Sequence, residues 1–234
     1  MIDEAIVLAG GLGRRLQSVI SDIPKPMAPV AGKPFLKFVL DYLLENKVKH
    51  CVLSVGHKRE SIIEYFGGLY KELKISYSKE DEPLGTGGGI KHALGKIKSD
   101  RCYVLNGDTF FKVDLKQFEE FHQTHKADLS IALKPMINFD RYGTVEVNEH
   151  GKVIAFREKK YVREGLINGG VYIMEKDFIP KKLKGVFSFE KDVLEPETAK
   201  GKIFGMLSPT YFIDIGVPDD YDKAKNDFAR TAHR

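Results

Sequence analysis

Apolar positions fall into two alternating patterns over the first 135 residues: short continuous runs, and stripes spaced for one face of a helix. Residues 4–9 (EAIVLA) form a short apolar run that ends in glycines, which predicts a buried strand. Residues 35–46 place Phe35, Phe38, Val39, Tyr42 and Leu43 on one helical face. A strand at 50–55, a helix near 58–66 and a strand near 74–78 follow. A glycine-rich turn is expected at 85–89, then a helix over 90–97. Residues 102–106 are another buried strand, ending at Gly107-Asp108, before a helix over 114–125 and a strand over 127–133. Strands alternating with helices across short connections predict an α/β fold, with a mostly parallel sheet covered on both faces.

Beyond about residue 135 the rhythm changes to short strand candidates separated by turns: TVEVN, KVIAF, GVYIM, KIFGML and YFIDI. Helical stretches are expected near 189–199 and over 218–228. No linker separates the two regimes, so residues 1–234 read as one domain: a first part of about 1–135, and a second part of about 136–228 that forms its substrate-facing side. No internal repeat or low-complexity segment interrupts it. The final ARTAHR carries no pattern and reads as a frayed end.

The 42% apolar content supports a sizeable core without metal or disulfide staples. The net charge of +4 is spread along the chain, which suits small anionic substrates and gives no basic arm for nucleic acid. Cys51 and Cys102 lie in apolar runs and read as buried reduced thiols, hence an intracellular, cytoplasmic setting. No secretory leader is apparent, and no apolar run approaches the ~20 residues of a membrane span. Nothing in the pattern marks a self-complementary surface, so a homo-oligomer stays open.

The chemistry concentrates at Leu8-Ala9-Gly10-Gly11-Leu12-Gly13-Arg14-Arg15-Leu16, followed by Pro24-Lys25-Pro26. Glycines directly after a strand let backbone N–H groups close on phosphate oxygens; Arg15 adds a planar fork and Lys25 a second cation. A dinucleotide fingerprint fails, because Leu16 stands where its third glycine would be. A phosphate loop ending in Gly-Lys-Ser/Thr also fails, because Pro34 follows Gly32-Lys33. An ordinary glycine-rich turn is the competing reading. Asp108 and Asp214 each follow an apolar run. A lone Asp after a strand is more often a turn residue.

These residues together resemble the sugar-1-phosphate nucleotidylyltransferase family. The opening matches its L-A-G-G-x-G-x-R-L…P-K-P pattern, and Pro83-Leu84-Gly85-Thr86-Gly87-Gly88 is similar to its P-L-G-T-A-G loop, with Gly87 replacing the usual Ala. Asn106-Gly107-Asp108, Tyr142-Gly143, Arg157-Glu158-Lys159, Asn168-Gly169-Gly170-Val171-Tyr172 and Phe212-Ile213-Asp214-Ile215-Gly216 follow in the family's order. The resemblance implies a Rossmann-like, three-layer α/β domain with a mixed, mostly parallel sheet, and no C-terminal β-helix. It implies nucleotide binding by Leu8, Ala9, Gly10, Gly11, Gly13, Arg15, Glu80, Pro83, Gly85 and Thr86. Lys25, Gly143, Glu158, Lys159, Asn168 and Gly169 would hold the sugar phosphate, with Asp108 and Asp214 on Mg²⁺. Lys160 stands where the family often has Pro after Glu-Lys.

The reaction so implied is an in-line attack by a sugar 1-phosphate on the α-phosphorus of a nucleoside triphosphate. Arg15 and Lys25 supply the compensating charge, and no general base is needed. A glycosyltransferase would show a D-x-D step where Asn106-Gly107-Asp108 stands, and a regulatory paralogue should have lost some of these charged residues. Gly87-Gly88-Gly89-Ile90 and Phe187-Ser188-Phe189-Glu190-Lys191-Asp192 resemble the family's guanylyltransferases that act on a heptose 1-phosphate. GTP and such a sugar phosphate are therefore the expected partners. Mannose 1-phosphate with GTP, or an N-acetylated hexose or muramate with UTP, are the alternatives. Relatives place their base-reading residue three positions before Pro83, at Glu80. A carboxylate there can accept from both donors on guanine's Watson–Crick edge.

Overall fold

The computed structural model describes residues 1–11 and 23–231. In chain order the strands are β1 (Glu4–Leu8), β2 (Pro29–Val30), β3 (Lys33–Pro34), β4 (His50–Val55), β5 (Leu69–Tyr70), β6 (Leu73–Lys79), β7 (Arg101–Asn106) and β8 (Thr109–Phe111). They continue with β9 (Leu129–Phe139), β10 (Thr144–Val147), β11 (Val153–Arg157), β12 (Val162–Glu175), β13 (Ile203–Leu207) and β14 (Phe212–Asp214). The helices are α1 (Phe35–Glu45), α2 (Arg59–Phe66), α3 (Gly85–Leu94), α4 (Leu115–Thr124), the single turn α5 (Glu195–Glu197) and α6 (Pro218–Thr231).

Among the described residues, ten strands form one mixed sheet in the order β11-β10-β12-β7-β1-β4-β6-β5, with β9 pairing both β12 and β13. Strands β7, β1, β4 and β6 run parallel, as the alternation of strands and helices requires. Antiparallel β12 attaches the second half along β7, from Val171 opposite Leu105 to Glu175 opposite Arg101. Strands of both halves thus belong to the same sheet. None of the described helices is long and apolar enough to cross a membrane.

Alternation along β1 divides the core between the two faces. Ala5 and Val7 pack with Phe35, Val39 and Leu43 of α1, while Ile6 packs with Ile90 and Ala93 of α3 and with Val104. Both cysteines are free and buried, and burial pushes the Cys102 thiol up to about 12. Asp114 caps α4 by accepting from the Gln117 amide at 3.0 Å. Gly32-Lys33-Pro34, rejected above as a phosphate loop, belongs to the small β2–β3 hairpin.

Three elements differ from the sequence pattern. The glycines at 85–89 are not a turn before a helix; they are the first half of α3. A Cβ on Gly87 would sit 2.4 Å from the Phe187 ring, and one on Gly88 would sit 2.5 Å from the Gly185 carbonyl oxygen. Close packing overrides the weak helix propensity of glycine. Strands β9 and β12 are also much longer than their apolar cores, at 11 and 14 residues, because their polar ends pair with each other from Val162–Phe139 to Asn168–Leu133.

Candidate active site

The cleft opens at the carboxyl ends of β1 and β7, where parallel α/β sheets present ligands. It encloses about 270 Å³ and is lined by Leu8, Lys25, Thr86, Asn106 and Asp108 from the first half. Gly143, Lys159, Asn168, Gly169 and Asp214 line it from the second half.

Its most charged corner is assembled from three distant segments. Pro24 leads into a short 3-10 turn, Lys25–Met27, which is anchored by buried Pro26. Asp108 follows β7, and the small β8–β14 ladder sets Asp214 opposite Thr109, so the two carboxylates share one end of it. The Ile215 amide donates to the Asp108 carbonyl at 3.0 Å and tightens the pairing. Lys25 Nζ donates to Asp108 Oδ2 at 2.6 Å and lies 3.6 Å from Asp214 Oδ1. The Gly216 amide donates to Asp214 at 2.7 Å and the Tyr142 hydroxyl does so at 3.3 Å. Burial and the like charge of Asp108 nonetheless hold the Asp214 carboxyl above its ordinary pKa. A cation already stands between two hard carboxylates, and this donor set fits a divalent, oxygen-binding metal. Among the described residues no cluster of three or more His, Cys, Asp or Glu supplies a larger cage, and magnesium sites seldom need one.

The residues expected to hold the nucleotide flank the other end. Glu80 follows β6, and its Oε1 accepts from the Ser54 hydroxyl at 2.8 Å while Oε2 accepts from the Leu84 amide at 3.1 Å. Each oxygen keeps a further lone pair. Gly10 and Gly89 crowd this carboxylate: a Cβ on either would come within 3.3 Å of Oε1. Gly85 has φ +71°, and a Cβ there would meet the Phe187 carbonyl oxygen at 2.6 Å. That carbonyl accepts from the Gly87 amide at 3.0 Å and stands in for a cap at the start of α3. Of the described residues expected here, Leu8 and Thr86 line the cleft, and Ala9, Gly10, Gly11, Glu80, Pro83 and Gly85 do not. Gly13 and Arg15 lie outside the described residues.

At the remaining end, Asn168 donates to the Tyr172 hydroxyl at 2.7 Å and accepts from the Gly170 amide at 3.1 Å. Gly169 is required by Phe111, whose ring would be 2.3 Å from an added Cβ. Lys159 reaches the cleft, but Glu158 does not line it; Glu158 is exposed and paired with Lys191 at 3.3 Å.

Sequence reasoning missed several lining residues, chiefly Arg141, Tyr142, Tyr172, Phe189 and Glu190. Arg141 is tied to Asp220 and stacks over Tyr142, with its guanidinium 5.5 Å from the ring centre. Burial among protein atoms and the nearby Glu195 raise the Glu190 carboxyl above its ordinary pKa, even though it remains open to solvent through the cleft. The motif Phe187-Ser188-Phe189-Glu190 was visible in the chain, but nothing in its spacing said that it folds back over α3.

Fold and site together define an α/β protein with a charged cleft at the carboxyl ends of its parallel strands. The chain belongs to the nucleotidyl transferase family, whose profile matches residues 4–231. It is 52% identical, over 96% of its own length and 97% of the relative's, to a D-glycero-alpha-D-manno-heptose 1-phosphate guanylyltransferase of Aneurinibacillus thermoaerophilus. It is 49% identical to the protein of the same description from Campylobacter jejuni, over 93% of this chain and 96% of that one. Its fold is similar to that of HddC from Yersinia pseudotuberculosis, solved in complex with GMP-PN. The TM-score is 0.88 at 38% identity, covering 97% of this chain and 100% of that one.

Proposed function

We propose that this protein transfers GMP from GTP to D-glycero-α-D-manno-heptose 1-phosphate, releasing pyrophosphate and GDP-heptose. The observation that carries this reading is the near-complete, reciprocal coverage of two heptose 1-phosphate guanylyltransferases at 52% and 49% identity. The cleft supports it, with a cation and two carboxylates at one end and hydroxyl- and amide-bearing residues at the other. Glu80 is the base-reading residue in this proposal. Held by Ser54 and Leu84, it presents fixed acceptors to the two adjacent donors of guanine.

Lys25 neutralises the α-phosphate and the attacking phosphate, and Arg15 holds the departing phosphates. Gly143, Lys159, Asn168 and Gly169 seat the sugar phosphate, with Glu158 at the rim. Asp108 and Asp214 would hold Mg²⁺, which when bound screens the repulsion between the two anions. The sugar phosphate is itself an anionic nucleophile, so alignment and charge compensation are the protein's main contributions. Nucleoside triphosphates place such a reaction in the cytoplasm.

Pyrophosphate release, measured with four nucleoside triphosphates against a panel of sugar 1-phosphates, tests the proposal. GTP with the heptose 1-phosphate should give the highest kcat/KM, and Glu80→Gln should erode the preference for GTP over UTP. A higher kcat/KM with UTP and an N-acetylated sugar, or undiminished GTP selectivity in Glu80→Gln, overturns the guanylyl assignment.

A further inference from the structure

Glu190 lines the same cleft as Lys25, yet the reaction just described gives it no part. Three observations place it. The backbone that carries it is fastened over the start of α3: the Phe187 amide donates to the Leu84 carbonyl at 3.0 Å, and the Phe189 amide donates to the Thr86 hydroxyl at 2.9 Å. The Phe189 ring packs edge-on against Tyr172, with centroids 5.4 Å apart. Tyr172 in turn receives the Asn168 amide at 2.7 Å, so Glu190 stands beside the Asn168–Tyr172 pair. Burial, Glu195 and Glu158 oppose its ionised form, whereas Lys159 and Lys191 are near enough to favour it.

Binding polarity follows from this arrangement. A sugar 1-phosphate must turn its phosphate toward Lys25 and the two aspartates, which leaves its distal hydroxyls facing Asn168, Tyr172 and Glu190. An ionised carboxylate only accepts hydrogen bonds, and hydroxyls donate them. A second negative group on the sugar would meet a like charge in a partly enclosed cleft, where screening by water is reduced.

We propose that Glu190 is a specificity-determining residue, selecting neutral polyhydroxylated sugars by accepting from their distal hydroxyls and excluding sugar acids by charge. This rests on the sugar-phosphate reading above. The strap from Phe187 to Glu190 also joins the nucleotide end to the sugar end: the backbone that caps α3 is the backbone that aims the carboxylate.

Two variants separate the two roles. Glu190→Gln keeps an acceptor and removes the charge; Glu190→Ala removes both. Initial rates are measured with GTP and three acceptors: the heptose 1-phosphate, mannose 1-phosphate and a uronic acid 1-phosphate. Losing a charge-assisted hydrogen bond should raise the KM of Glu190→Ala for the heptose 1-phosphate by about tenfold or more. Its KM for GTP should stay within about twofold, as expected for a residue remote from the base. Glu190→Gln should raise kcat/KM for the uronic acid 1-phosphate and lower it for the heptose. Unchanged sugar KM in Glu190→Ala, or no gain on the uronic acid in Glu190→Gln, overturns the inference while leaving wild-type turnover and the functional reading intact. A wild-type enzyme that releases no pyrophosphate with any pair overturns the functional reading itself. Unaltered melting temperatures in both variants, expected for a solvent-open side chain, show that the kinetics report the cleft.

Discussion

Two carboxylates, one opening a strand of the large sheet and one closing the small β8–β14 ladder, have been pushed in opposite directions. Glu4 opens β1 on the side away from the cleft. Burial would raise its pKa, but it lies 2.7 Å from His50 Nδ1 and accepts from the amides of Lys98 at 2.8 Å and Ser99 at 2.6 Å. Those bonds win and bring the carboxyl down to about 2. Asp214 closes β14 at the cleft. It too is bonded, to Gly216 and Tyr142, but burial and the neighbouring Asp108 prevail and raise it. At the structural end of the sheet a carboxylate is surrounded by donors alone. At the candidate active end a second carboxylate is set against it, and Lys25 offsets that repulsion only in part.

The sharpest way to break this comparison is to neutralise each end. Asp214→Asn should lower turnover by roughly 10²–10³-fold, the ~2.7–4 kcal/mol typical of a lost transition-state contact, yet leave the melting temperature unchanged or raised, because one of two like charges is gone. Lys25→Ala should lose turnover on the same scale but also melt earlier, since both aspartates then lack their counter-ion. Single-turnover kinetics and thermal melts on the same preparations check both. A large loss of stability in Asp214→Asn would contradict the assignment.

Glu4→Gln should do the reverse, sparing turnover and costing about 1.5–3 kcal/mol of stability, because charge-assisted bonds to two amides are weakened. A carboxyl depressed in the folded state contributes fully above its unfolded value near 4.5 and loses that contribution as pH falls toward 2. The stability difference between wild type and Glu4→Gln should therefore shrink over that acid window, as measured by denaturant titration. Asp214 works with the opposite sign: its raised pKa removes stability as pH climbs above the ordinary 3.8. Asp214→Asn should flatten that part of the profile.

A smaller effect sharpens the contrast between the parallel centre and the strap that crosses it. Gly87→Ala should destabilise by ~1–3 kcal/mol, because the methyl group collides with the Phe187 ring. In a Phe187→Ala background most of that cost should disappear, and a double-mutant cycle measures the coupling.

How much of this was legible in the chain differs between the halves for the same reason. Strands β1, β4 and β7 announce themselves because a strand buried on both faces is apolar nearly throughout, and each βα step is local. The sequence also named Lys25, Asp108 and Asp214 as chemistry-bearing residues. The polar halves of β9 and β12 carry no such signal, since they are strands only because each pairs with the other, from Val162–Phe139 to Asn168–Leu133, across a long stretch of chain. Likewise, composition favours a turn at Gly85–Gly89, and only the Phe187 backbone folded over it makes that stretch a helix.

By itself, then, the sequence determined the alternating α/β plan, the residue types able to meet phosphate and metal, and the family these belong to. Tertiary structure decided which of them meet. It brought Asp214 to within reach of Lys25 from 189 positions away, paired exposed Glu158 with Lys191 and laid Glu190 into the lining of the cleft. Local propensity and periodicity are short-range properties of the chain, whereas a charge's neighbours, its burial and its pKa are set by segments that only folding brings together.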